Sequence, residues 1–135
     1  MAIRFEKSEG IVDGDFIYER KSSTLANPVP ASTTRYLLLS WSKSIMRGDA
    51  LLTAVGTDQH DNSVYTWVVD GVTLPISGVA RVGSVHSPFV FPDPIRVKTN
   101  VILYVTNNNL VAYPNNGLDP SDQIPYEGVM IARWA

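Results

Sequence analysis

The chain has 135 residues, 11 Lys and Arg against 13 Asp and Glu, no Cys, and an apolar share of 44%. A domain of this length buries roughly 68% of its unfolded surface, enough for a core without staples, and the absence of Cys excludes a disulfide scaffold, a Cys-ligated zinc site and a thiol nucleophile. A formal net charge of -2 provides no basic field to hold a phosphate backbone, so nucleic acid is not an expected partner.

Arg4, Glu6 and Lys7 fall where an export signal needs an unbroken apolar stretch, so none is expected. Apolar runs such as residues 101–105 are far short of the roughly 20 needed to cross a bilayer as a helix, so a soluble protein with no membrane partner is expected. No window carries a sustained helical period. Instead, short runs rich in Val, Ile, Leu, Tyr and Trp are closed by Gly, Pro, Asn, Asp or Ser, which is strand chemistry.

Residues 1–10 read as an N-terminal arm. A first strand is predicted over residues 15–19, entered through Asp13-Gly14 with Ile11 and Val12 as an opposing stub. Residues 35–41 follow, where the consecutive Leu37, Leu38 and Leu39 argue for a central strand covered on both faces. Residues 50–55 form a third. Residues 63–74 read as a hairpin about Asp70-Gly71, a pair that accepts the positive φ a type I′ turn needs at both central positions. On its first strand Tyr65, Trp67 and Val69 share one face, and packing across a sandwich accounts for them.

Residues 79–82 and 88–91, bracketed by Gly78, Gly83, Pro88 and Pro92, are predicted as short edge or bent strands. Residues 95–98 alternate apolar and basic and meet a reversal at Thr99-Asn100, followed by a strand over 101–106 that ends in Asn107-Asn108-Asn109. A short strand over 110–113 and a final one over 128–134 complete the series. Because Trp134 lies at the end of an apolar run, that last strand is expected inside a sheet. Between these elements, residues 21–34 and 114–125 are Ser, Thr, Pro and Asn rich and lack periodicity. Long loops of that kind are uncommon in a compact domain, and are the first place to look for contacts.

This pattern predicts one all-β domain over residues 1–135, an antiparallel two-sheet β-sandwich, jelly-roll-like, with about eight short strands and long loops. An immunoglobulin-type sandwich is the rival, and its Cys-Trp-Cys framework is missing.

Chemistry-bearing constellations are few. Asp58, His60 and Asp61 could offer oxygen and imidazole ligands, but the spacing is not that of an EF-hand, and a polar loop leading into the hairpin is the simpler account. A cupin-type metal centre would draw on His60 and His86, yet the two His and a Glu of one motif are not there. Ser84, His86 and Asp93 can be written as a triad, but no nucleophile elbow surrounds Ser84. No glycosidase pair or phosphate-cradling loop stands out. Accordingly no catalytic residue, metal or cofactor is expected. Tyr113 and Tyr126 border the second long loop and read as surface aromatics, which with Asp58 and His60 are the candidate partner or glycan contacts.

Phe89-Val90-Phe91-Pro92-Asp93-Pro94-Ile95 leading into two strands, then the terminal Gly128-Val129-Met130-Ile131 and the hairpin Trp67-Val68-Val69-Asp70-Gly71, resembles the closing part of small β-sandwich structural proteins of tailed-phage and other virus particles. The resemblance covers about half the chain and implies a non-enzymatic virion component, such as a capsid decoration, cement or minor capsid protein, assembled in the host cytoplasm. It implies no catalytic residues. Its expected partners are copies of itself, trimers being common where jelly rolls cluster around an axis, and a major capsid protein. Residues 1–9 and 21–34 would serve as arms that add strands to a neighbour. The alternative is a carbohydrate-binding module or receptor-binding spike domain, which would contact a host-surface glycan.

Overall fold

A computed structural model describes residues 16–44, 46–58, 60–75 and 83–135. The predicted arm, the Asp13-Gly14 turn with its stub, and the strand over 79–82 lie outside these residues. Among these residues eight strands run in chain order: β1 (Phe16–Ser22), β2 (Thr33–Ser42), β3 (Ala50–Thr57), β4 (Ser63–Val69), β5 (Val72–Thr73), β6 (Phe89–Val97), β7 (Asn100–Asn107) and β8 (Glu127–Trp134). Among the described residues the one helical element is a 3₁₀ turn over Pro120–Gln123.

The strands form two antiparallel sheets, ordered β1-β8-β3-β6 and β2-β7-β4-β5. Within them β1 pairs with β8, β2 with β7, β3 with β6 and β4 with β5. The first strand thus meets the last, the second the next to last, and so inward: one long hairpin rolled up, with β3–β8 and β4–β7 closing the roll. This is the eight-strand double Greek key of a jelly roll. Leu52, Val55, Tyr65, Trp67, Leu103 and Met130 fill the space between the sheets.

Asp70 and Gly71 both adopt positive φ, 51° and 84°, as the hairpin turn requires. Trp134 pairs with Ala50, so the terminal strand does lie inside a sheet.

Several local expectations are corrected. The strand with three consecutive leucines is an edge strand, not a central one. A register shift between Leu37 and Leu39 turns both Leu38 and Leu39 into the core and leaves Leu37 half exposed, so the run reflects a bulge rather than two covered faces. The stretches expected over 88–91 and 95–98 merge into one strand, β6, which begins at Phe89, passes Pro92 and Pro94 and ends at Val97. As an edge strand it needs no donor on its outer side, and its pairing with β3 skips from Ile95 to Val90 across both prolines. Residues 110–113 form no strand; Tyr113 makes an isolated bridge to Val29. The first long loop is shorter than expected, because Lys21 and Ser22 belong to β1 and Thr33 and Thr34 to β2.

The alternation of strands between sheets sends the connections 23–32, 58–62, 83–88 and 108–126 to one end, the tip, and 43–49, 70–71 and 98–99 to the other, the base.

Candidate functional site

All four nominated residues come together at the tip. Asp58 leaves the end of β3, His60 sits in the connection to β4, Tyr113 lies midway between β7 and β8, and Tyr126 immediately precedes β8. The His60 ring lies between the two tyrosines, 4.4 Å from the Tyr113 centroid and 4.3 Å from that of Tyr126. His60 Nε2 is 2.8 Å from the Ile124 carbonyl. A carbonyl only accepts, so Nε2 carries the proton and donates.

Asp58 is the hub beneath this stack. Its Oδ1 accepts from Glu127 N at 2.6 Å, and its Oδ2 accepts from the Tyr65 hydroxyl at 2.7 Å and from His60 N at 3.2 Å. Asp58 N in turn donates to Glu127 O at 3.1 Å, so β3 and β8 continue their pairing one step beyond the sheet. Burial pushes the Asp58 carboxyl above the ordinary carboxylate range, against the pull of these donors and of His60, all of which favour the ionised form. Burial, then the neighbouring Asp58 charge, drives the Tyr65 hydroxyl far above its usual value, so it stays a donor.

Tyr126 ties in the first loop. Its hydroxyl is 2.6 Å from Ser63 Oγ, and its amide donates to Ser23 Oγ at 2.8 Å. Ser23 Oγ passes the connection on to Tyr113 O at 3.1 Å. Tyr126 is fully buried, which corrects the expectation of a surface aromatic: it has no face free for a sugar. Tyr113 is half-buried, with His60 against its ring.

A second hub escaped the reading of the residues. Asn107 is fully buried; its Nδ2 donates to Pro30 O and Val111 O, both at 3.0 Å, and its Oδ1 accepts from Asn109 N at 2.9 Å. Its signal in the sequence was the run of Asn, which pointed to a local turn and not to a clamp between loops far apart in the chain.

The outer part of the second long loop holds itself. Asn115 Nδ2 donates to Ala112 O and its Oδ1 accepts from Gly117 N, both at 2.7 Å. Asp119 caps the 3₁₀ turn, with Asp122 reaching back to the Asp119 amide at 3.2 Å. Between these anchors Leu118 is 100% exposed, and Leu110, on the same connection, is 88% exposed. Beside the loop lies an open hollow of about 440 Å³ lined by Leu25, Pro114, Asn115, Asn116, Gly117 and Gln123.

Chemically, the inner cluster is an anchor. Its carboxylate, imidazole and hydroxyls are spent on one another and on backbone groups, and they fix three connections into one body. Ser84 Oγ accepts from Ser87 N at 3.0 Å, closing a turn. Among the described residues no group of three or more His, Asp or Glu is placed to hold a metal ion. No family model matches the chain, and no curated protein matches it in sequence.

Proposed function

We propose that the protein is a structural component of a virus particle, a capsid decoration or minor capsid protein that works through protein–protein contacts and is assembled in the host cytoplasm. The observation that carries this reading is the tip: large apolar side chains stand in water on loops that are already held rigid from beneath. A loop ordered before binding loses less freedom on docking, and exposed apolar side chains on such a loop are suited to a partner's surface. The rolled eight-strand topology supports it, since viral capsid domains are among the proteins built this way. So does the resemblance of the β6–β8 region. The test is co-sedimentation with capsids assembled from the structural genes of its source. Saturable binding, weakened by Leu118→Asp, is expected; no binding to complete particles contradicts the reading.

The hollow beside Leu25 favours a second reading, a spike or module that binds glycan. Amide side chains of Asn116 and Gln123 beside apolar Leu25 and Pro114 offer hydrogen bonds and a nonpolar face to a sugar. A glycan array separates the two readings, with specific binding lost in Gln123→Ala supporting the second.

A further inference from the structure

We infer that copies of this chain associate end to end, the tip of one seated on the base of the next. This goes beyond the virion reading and does not depend on it. Among the described residues the two ends differ in charge. The described residues of the tip connections 23–32, 58–62, 83–88 and 108–126 contain no Lys or Arg, and hold Asp61, Asp119 and Asp122 besides the buried Asp58, with His60 and His86 as their histidines. The basic residues nearest them, Arg20, Lys21 and Arg35, belong to β1 and β2; Arg20 is paired with Glu127 at 2.8 Å and Arg35 lies over the Tyr104 ring. At the base Lys43, Arg47, Arg96 and Lys98 stand against Asp49 and Asp70; Arg96 is paired with Asp49 at 3.0 Å, which leaves Lys43, Arg47 and Lys98 as the basic excess.

Each end also shows uncovered apolar side chains. Leu118 and Leu110 project at the tip, while at the base Met46 is 86% exposed and Val72 66%. The acidic side chains close to Leu118 are held in place, because Asp119 and Asp122 are locked into the cap of the 3₁₀ turn. Arg47 is likewise positioned at the base, stacked 4.1 Å from the Trp134 centroid. Opposite charges around apolar centres set register and exclude like-with-like docking, so tip meets base and neither end meets its own kind. A contact of this heterologous type leaves a free tip and a free base on every pair, and it grows into a stack or closes as a ring.

Light scattering on size-separated protein tests this with three chains. The wild type is expected to exceed the monomer mass, increasingly so at higher concentration, and to return toward monomer as salt rises from about 0.05 to about 0.5 M and screens the ends. Leu118→Lys blocks the tip and Lys98→Glu blocks the base, and each alone is expected to weaken association at least about tenfold. Met46→Glu serves as a second base variant, with circular dichroism confirming that each is folded. Mixed together, the tip variant and a base variant are expected to form a one-to-one dimer and nothing larger, since only one competent tip and one competent base can meet. A wild type that is monomeric at every concentration overturns the inference. So does a base variant that associates like the wild type, which would mean tip-to-tip contact, or a mixture that stays monomeric.

Discussion

The base and the tip face the same problem, the unpaired backbone groups left where strands stop, and they solve it at different distances in the chain. At the base one exposed carboxylate does most of it. Asp70, in the turn between β4 and β5, accepts from Lys98 N, Thr99 N and Asn100 N at 2.8, 2.7 and 3.1 Å, so the turn of one hairpin also holds the connection that takes the chain from β6 in one sheet to β7 in the other. At the tip, long connections bring many more polar groups, and Asp58, Asn107, Ser23 and Tyr126 satisfy them from inside. The difference teaches where each end is vulnerable: donors freed at the base turn to water, whereas those freed beneath the tip have none to turn to.

The largest effect is therefore expected at Asp58. Asp58→Ala leaves the Tyr65 hydroxyl and the Glu127 and His60 amides without their acceptor in a buried site, and should cost about 4 kcal/mol in denaturant unfolding. Asn107→Ala comes next, at about 3 kcal/mol, because Pro30 O, Val111 O and Asn109 N all lose a partner. Asp70→Ala, at the exposed base, should cost only about 1 to 2 kcal/mol; a loss matching that at Asp58 would break the contrast between the ends. Leu118→Ala is expected to leave stability within about 0.5 kcal/mol, since the side chain touches water alone.

The ends also differ in the sign of their pH dependence. Burial pushes Asp70 up, but the three amides outweigh it and hold the carboxyl below the ordinary range. Its contribution is thus present above the unfolded value and lost as pH falls through the lowered one. Glu127, held down by Arg20 and Ser22 against its burial, behaves the same way. Asp58 is raised, so the folded state binds its proton more readily, and this group costs stability as pH rises through its value. Unfolding free energy should therefore decline on both sides of about pH 4 from these groups. Asp70→Asn is expected to flatten the acid side, and Asp58→Asn the other, in chemical denaturation followed across pH.

How much of this the residues announced depends on the range of the forces involved. Asp70-Gly71 was legible because positive φ at two adjacent positions is a local demand. The sandwich was legible because short apolar runs between turn residues leave few other architectures. Leu38 and Leu39 were misread because a bulge alters which face a residue takes, and nothing within the run marks it. Pro92 suggested a break where the edge position of β6 tolerates both it and Pro94. The tip was legible as a place and not as a structure: Asp58, His60, Tyr113 and Tyr126, expected as partner or glycan contacts, do meet there, but in a cluster whose polar groups are spent on one another, and Tyr126 is buried rather than on the surface. Its burial follows from Ser63 and Ser23, 63 and 103 residues away in the chain, and no local pattern encodes such partners.

The central claim is that the tip is a preordered surface held from beneath by Asp58 and Asn107. Amide hydrogen exchange measured by NMR on the isolated protein reads this directly. The amides of Asn109, Gly117, Asp119 and Glu127, each given to a side-chain acceptor, should be protected in the wild type. In Asp58→Ala, protection at Glu127 should fall while that of the β4–β7 pairing at the base persists. Exchange of these tip amides at unprotected rates in the wild-type protein would contradict the account.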